Sequence, residues 1–155
     1  MRPYEKVKGA TEAVHEKWKK ECIDFVSSKH MSFIKFQKMC RAIIEDFDKI
    51  EITDEVKPRV GVVGEILVKF APAANNHLVD LLEAEGAEAV VPDLIDFMLY
   101  CFYNQIYKAK ELGTSAKTAA LMRAAIWAIE KLRGGATKAF EKSVHFDPPT
   151  SIYKL

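Results

Sequence analysis

The residues whose types and spacing could do chemistry lie in one stretch of this 155-residue chain, from Val60 to His77. Glycine lets a backbone approach a ligand closely. A lysine can meet a phosphate or carboxylate, and a glutamate or histidine can serve as a general base. We therefore predict a ligand-binding site here, together with an aspartate that follows the next apolar run: Gly61, Gly64, Glu65, Lys69, Asn75, Asn76, His77 and Asp93.

Each of these residues also has a purely structural interpretation. The glycines suit a tight turn from a strand into a loop, and Asn75 or Asn76 suits the N-cap of a following helix. Asp93 suits the cap of the helix after it. The motif Gly61-Val-Val-Gly64 matches neither a dinucleotide fingerprint nor a phosphate loop, so it does not predict a nucleotide site.

The cysteines and histidines predict no metal or cofactor in this chain. Cys22, Cys40 and Cys101 are far apart, and no Cys-x-x-Cys pair occurs. The histidines are isolated, and no Ser/His/Asp or Cys/His pattern stands out. The catalytic residues are therefore left unassigned.

Composition and charge exclude several classes of protein. The net charge is +1, because an acidic middle region offsets a basic C-terminal region, so no nucleic-acid partner is expected. The longest apolar run is the seven residues Phe97–Tyr103, far short of the roughly 20 that a membrane span needs. The N-terminus lacks the apolar stretch of a secretory signal, which predicts a cytoplasmic location.

Helices are expected on both sides of the predicted site. Apolar residues recur at helical spacing over 11–28 and again over 33–47, which predicts a helical hairpin extension spanning 1–57. Residues 94–112 are apolar nearly all round, which is typical of a buried helix. An alanine-rich helix over 116–132 should end at Gly134-Gly135, with a short helix near 137–144.

The pattern over residues 58–155 predicts an α/β lobe. We expect this lobe to be one compact domain of a larger protein. A β-branched run from Arg59, a helix closed by Gly86, and a second run stopped by Pro92 form a βαβ pattern with parallel strands. The predicted fold class is thus helix-rich α/β, with a small parallel sheet in a doubly wound, Rossmann-like core. Ligands bind beyond the carboxyl ends of such strands, where Gly64 and Glu65 lie.

Three segments carry a resemblance to a known family. They are Arg2-Pro-Tyr-Glu with Lys8-Gly9, the run Arg59-Val-Gly-Val-Val-Gly-Glu-Ile-Leu-Val-Lys, and the run Leu82-Glu-Ala-Glu-Gly-Ala-Glu-Ala-Val-Val-Pro-Asp. Together they resemble the dehydratase-like region of the large CoA-substrate-specific enzyme activase proteins, which are relatives of the 2-hydroxyacyl-CoA dehydratases of anaerobic bacteria.

The resemblance implies a multi-domain cytoplasmic parent in which a [4Fe-4S] cluster is reduced by an ATP-hydrolysing activator. This chain has no recognisable set of cluster-ligating cysteines and no actin-like phosphate motif, so neither site transfers to its residues. The resemblance implies a domain that binds an acyl-CoA or docks on the rest of the parent. The alternative is a structural or oligomerisation module that meets other domains or a second copy; a small enzyme with Glu65 or His77 as base is a third hypothesis.

Overall fold

The computed structural model describes residues 1–29 and 31–154 and is 62% helical. Short 3₁₀ turns lie at Arg2–Tyr4 and Ile152–Lys154. In the described residues the α-helices are α1 (Ala10–Ser27), α2 (Phe33–Asp48), α3 (Ile66–Phe70), α4 (Leu78–Ala84), α5 (Leu94–Glu111) and α6 (Ala116–Phe140). No helix in this part of the chain has the length and apolar character needed to cross a membrane.

Two short strands form a parallel pair. Strand β1 (Arg59–Gly61) lies beside β2 (Glu88–Val90), with Val60 opposite Ala89. The ladder continues at both ends, because the Glu88 N–H donates to the Pro58 carbonyl and the Val62 N–H to the Val90 carbonyl, each over 2.9 Å.

The predicted doubly wound, Rossmann-like core is wrong. A parallel sheet of that class is buried on both faces, whereas all three residues of β1 are exposed. The β-branched run supplies only three strand residues, since Gly64 turns the chain and α3 begins at Ile66. The fold is a set of helices with a two-stranded parallel sheet.

The chain divides into two compact units. The first consists of Met1–Met31 and Asp46–Pro92, and the second of Ser32–Glu45 and Asp93–Leu155. Helix α2 therefore contributes residues to both. The predicted site residues from Gly61 to His77 all belong to the first unit, whereas Asp93 belongs to the second.

The N-terminal segment of the first unit is held by polar contacts to α4 and β2. Arg2 forms ion pairs with Asp80 and Glu83, each over 3.0 Å, and the Tyr4 hydroxyl donates to Glu88 over 2.8 Å. That hydrogen bond raises the pKa of Tyr4. These contacts give Arg2 and Tyr4, two residues of the family-like motif, a structural role.

The same segment also sets the start of α1. The carboxylate of Glu5 accepts hydrogen bonds from the N–H groups of Gly9 and Thr11, over 2.6 and 2.7 Å. Partial burial acts to raise the pKa of Glu5, but these hydrogen bonds outweigh it and lower the pKa. Helix α1 then runs over almost the same residues that the apolar spacing predicts.

The second unit is built on the packing of α5 against α6. Its core cluster contains four buried residues, which are Leu99, Ile106, Ile126 and Ile152. Asp93 caps α5, since its carboxylate accepts from the Asp96 N–H over 2.6 Å. Arg133 of α6 then reaches Asp96 over 3.1 Å, which ties the two helices together.

Two predictions about this unit are wrong. Helix α5 is not buried on several sides as predicted, because two opposite sides are open, with Met98 43% and Tyr100 56% exposed. Helix α6 does not end at Gly134-Gly135 but continues through them to Phe140, so no separate helix begins near residue 137. A glycine costs a helix only about 1 kcal/mol relative to alanine, and the packing of α6 on α5 outweighs that cost.

Candidate functional site

The predicted site is centred on the segment Gly64–His77, which follows the carboxyl end of β1 and is called the binding loop below. Gly61 is the last residue of β1. Gly64 has a φ of 140°, a backbone conformation that favours glycine, while a Cβ there would meet no heavy atom within 4 Å. Backbone conformation, and not crowding, explains why Gly64 is a glycine.

Glu65 is the N-cap of α3. One carboxylate oxygen, Oε2, accepts hydrogen bonds from the N–H groups of Leu67 and Val68, over 2.8 and 3.1 Å. The Glu65 carbonyl also accepts from the Lys69 N–H over 2.9 Å. The side chain singled out as a possible base therefore stabilises the first turn of a short helix.

Lys69 lies in the last turn of α3. Its Nζ sits 4.6 Å from the centre of the Phe70 ring, within the range of a cation–π contact. No described carboxylate lies within ion-pair distance of Lys69. The cation is therefore open to a ligand anion.

Asn75 connects the end of α3 to the start of α4. Its Nδ2 donates to the carbonyls of Val68 and Lys69, over 3.0 and 3.2 Å, and its Oδ1 accepts from the Leu78 N–H over 3.2 Å. The sequence predicts Asn75 or Asn76 as the N-cap of α4, but the N-cap is His77, and Asn75 reaches the first N–H of the helix from two residues before the cap. The same side chain also bonds two carbonyls in the last turn of α3, and that of Val68 accepts from the Ala71 N–H as well.

Asn76 and His77 both adopt the left-handed conformation, with φ of 56° and 54°. The side chain of His77 is 65% exposed, and its Nδ1 lies 3.5 Å from Oδ2 of Asp80. Apart from the tolerance of asparagine for the left-handed region, no sequence signal predicts this pair. Their conformation reverses the chain before α4.

The structure thus brings Gly64, Glu65, Lys69 and Asn75 into one loop that is ordered by its own hydrogen bonds. The large apolar side chains that it exposes are Leu67, Val68 and Phe70, which are 75%, 46% and 42% exposed. Asp93 is not part of this loop and has its capping role in the second unit. The arrangement suits binding and contains no buried acid or base.

The first unit also contains a groove of about 640 Å³ that the sequence analysis did not predict. Its wall is formed mainly by the start of α1 and by the segment that follows α2. Asp46 lies at its edge, where it accepts hydrogen bonds from Lys17, over 2.6 Å, and Lys49, over 2.8 Å. These bonds lower the pKa of Asp46 to about 2.

The second unit has a smaller cavity of about 300 Å³ beside Arg133. Arg133 makes two hydrogen bonds to Glu130, over 3.2 and 3.0 Å, besides its contact with Asp96. Burial acts to lower the pKa of Arg133, but the hydrogen bonds to Glu130 and Asp96 outweigh it and raise the pKa. The guanidinium is thus engaged by the helices themselves.

A further cluster on α1 has the donor types of a metal site. Oxygen and nitrogen atoms of Glu12, His15 and Glu16 lie within 4.8 Å of one another, and all three side chains are exposed. The i, i+3, i+4 spacing could have revealed this group in the sequence. Glu16 is engaged by Lys19 over 2.9 Å, which lowers the pKa of Glu16.

The cysteines do not fit the iron–sulfur cluster that the resemblance implies for a parent protein. Such clusters commonly take four cysteine thiolates, and the chain has three cysteines. Cys22 lies in the first unit, whereas Cys40 and Cys101 lie in the second. No step of cluster chemistry is therefore derived for these residues.

Comparison with protein families, with curated proteins and with solved structures gives no match to this chain.

Proposed function

We propose that the chain is a cytoplasmic binding domain of the CoA-enzyme activase and 2-hydroxyacyl-CoA dehydratase class, with the binding loop as its contact surface for an acyl-CoA. One observation carries the proposal. The binding loop, which includes the last six residues of the run Arg59–Lys69, is ordered by its own hydrogen bonds and exposes apolar side chains beside Lys69, which no described carboxylate pairs.

An acyl-CoA combines an apolar portion with phosphates, and the binding loop offers a partner for each. Leu67 and Phe70 supply exposed apolar area, and Lys69 supplies a positive charge for a phosphate or a carboxylate. Because Glu65 and Asn75 already fix the backbone, binding loses little conformational entropy.

Catalysis is not part of the proposed function. The Glu65 carboxylate accepts two main-chain hydrogen bonds, and His77 lies in the open, so neither is placed as a base in a desolvated site. ATP hydrolysis and electron transfer would take place in other parts of a parent protein.

The test is an amide NMR titration of the whole chain with a 2-hydroxyacyl-CoA. We expect shifts of the Gly64, Glu65 and Asn76 signals that saturate, and weaker shifts in Lys69→Ala. Lys20→Ala, an exposed lysine on α1, is the matched control and should titrate like the unchanged chain. If none of the three signals shifts at about 1 mM ligand, an acyl-CoA site is refuted, since a titration to that concentration detects even weak complexes.

An interaction module without a small-molecule site is the second candidate, and the exposed face of α5 favours it. Phe97, Tyr100 and Tyr107 lie on one side of the helix and are 39%, 56% and 54% exposed, and exposed apolar patches mark contact surfaces. Sedimentation velocity over a range of concentrations tests it. Self-association that Tyr100→Lys abolishes supports this function, and a monomer at every concentration argues against it.

A further inference from the structure

Helix α6 has a second apolar face, which points away from the buried side chains Ala119 and Ile126. Successive helical residues are separated by about 100°, so this outward face is defined by every third or fourth residue. It contains Lys117, Ala120, Leu121, Ala124, Trp127, Ala128, Lys131 and Leu132.

Large apolar side chains on the outward face are open to solvent. Leu121 and Trp127 are each 64% exposed, and Leu132 is 54% exposed. A helix that is apolar on both faces normally has a neighbour on both. The outward face therefore has the composition of a covered surface.

The charges of this face all have one sign. Lys117 and Lys131 lie on it, and no ion pair joins them to a carboxylate in the described residues. The acidic residue of the same stretch, Glu130, is bonded to Arg133 on the other side of the helix. The partner must therefore supply the negative charge.

A second copy of this chain does not fit the outward face. In an antiparallel pair of α6 helices centred on Ala124, Lys117 of each copy would lie beside Lys131 of the other. In a parallel pair each lysine would meet its own equivalent. Like charges placed in this way destabilise a helix pair.

An anionic membrane surface fits less well than a protein. A helix that lies on a membrane separates an apolar face from a charged one. Here Lys131 sits between Trp127 and the alanines of the outward face, with its Nζ 5.9 Å from the centre of the Trp127 ring. Insertion of this face would bury Lys131 in the lipid, whereas a partner carboxylate would neutralise it.

From the apolar exposure and the uniform charge we infer that the outward face of α6 docks an acidic amphipathic helix of a protein partner. Lys117 and Lys131 are separated by about 21 Å along the axis, given a rise of 1.5 Å per residue. The partner helix carries carboxylates at about the same separation, on either side of a leucine- or alanine-rich stripe. This surface is independent of the binding loop.

The test uses two fluorescent synthetic peptides and the whole chain. Each peptide is an amphipathic helix of about four heptads with leucine and alanine on one face. The first has glutamates about 21 Å apart beside that face, and the second has lysines in their place. Anisotropy titrations should show that the acidic peptide binds about tenfold or more tightly than the basic one, and that added salt weakens binding.

Three substitutions locate the contact. Lys131→Glu should weaken binding of the acidic peptide about fivefold or more and improve binding of the basic peptide, because the charge match is reversed. Leu121→Ser should weaken the binding of both peptides, because it removes apolar contact area. Lys20→Glu, the same charge reversal on an exposed residue of α1, should change neither. All three residues are exposed, and circular dichroism checks that each variant keeps its helix content.

Several outcomes would overturn the inference. They are equal affinity for the two peptides, insensitivity of binding to Lys131→Glu, and binding to phosphatidylserine vesicles without any binding of the acidic peptide. Self-association of the chain that Leu121→Ser abolishes would assign the face to a second copy instead.

Discussion

The side-chain amide of Gln37 donates a hydrogen bond over 2.7 Å to the main-chain carbonyl of Leu132, within the second unit. This contact gives Gly135 its role. A Cβ at residue 135 would overlap the amide group of Gln37, whereas a Cβ at Gly134 would meet nothing within 4 Å. The two adjacent glycines of α6 therefore differ in what they do.

We predict that Gly134→Ala stabilises the chain by about 0.5–1 kcal/mol, because alanine favours a helix interior over glycine by that amount. Gly135→Ala should be close to neutral, because the same gain is offset by displacement of Gln37 and loss of its hydrogen bond. Urea unfolding of both variants measures the two free energies.

The control is a double-mutant cycle with Gln37. In a Gln37→Ala background the conflict is absent, so Gly135→Ala should then stabilise the chain about as much as Gly134→Ala does. If Gly135→Ala has the same effect with and without Gln37, the contact does not explain the glycine.

The sequence predicted those elements whose signals are local. The apolar spacing located α1 and α2 to within a residue or two, Gly86 takes the left-handed conformation with φ 87°, and Asp93 caps α5. Each of these signals depends on a few adjacent residues. Local physical chemistry alone is enough to predict them.

The sheet and the length of α6 could not be predicted in the same way. A short run such as Val60-Gly-Val-Val63 fits a buried strand or an exposed one, and only the tertiary structure shows that Val63 is 82% exposed. Gly134 and Gly135 are typical of a helix end, but Gln37, almost 100 residues away, packs where Gly135 has no side chain. Contacts of this range have no signal in one sequence.

The sequence points to the segment Gly64–His77 as a candidate site but leaves its chemistry open. Glycine, glutamate and asparagine suit ligands and caps equally well, and the structure gives Glu65 and Asn75 capping contacts. The groove at Asp46 was missed, because Lys17, Asp46 and Lys49 meet only when α1 lies against the end of α2.

The pH dependence of stability should contain a contribution from Asp46. Its pKa in the folded chain is about 2, below the ordinary value of 3.8, because Lys17 and Lys49 donate hydrogen bonds to it. A lowered pKa means that the ionised carboxylate favours the folded form. The stabilisation is therefore present above about pH 4 and is lost as the pH falls through about 2.

We predict that Asp46→Asn removes this contribution, at a cost of about 1 kcal/mol or less near neutral pH because both lysines are well exposed. Urea unfolding from about pH 2 to pH 7 should show the difference between the two chains shrinking below about pH 4. Asp54→Asn, at an exposed residue, should leave the pH profile unchanged. A constant difference over the whole pH range would contradict this account.

Replacement of Arg133 by lysine should lower the stability of the chain. Its guanidinium makes two hydrogen bonds to Glu130 and a third to Asp96, and only 12% of its side chain is exposed. A lysine keeps the charge but cannot reproduce this fork. We expect Arg133→Lys to destabilise the chain by about 1–3 kcal/mol, measured by urea unfolding.

The matched control for Arg133 is Arg123→Lys, on an exposed part of the same helix. It should change the free energy of unfolding by no more than about 0.5 kcal/mol, as is usual for surface substitutions. Equal effects of the two substitutions would show that the contacts of Arg133 add nothing to stability.

Glu65 offers a test that separates a capping residue from one that contacts a ligand directly. If its carboxylate acts only as a cap, Glu65→Gln should keep an acceptor for the Leu67 and Val68 N–H groups, and α3 should persist. Glu65→Ala removes the acceptor and should cost about 1 kcal/mol of local stability. Hydrogen exchange at the Leu67 and Val68 amides, with the Leu99 amide as a reference in the core, measures that cost directly. If Glu65→Gln protects these amides like the unchanged chain but loses acyl-CoA binding, the carboxylate charge contacts the ligand; if binding also survives, the side chain of Glu65 serves the loop only as the cap of α3.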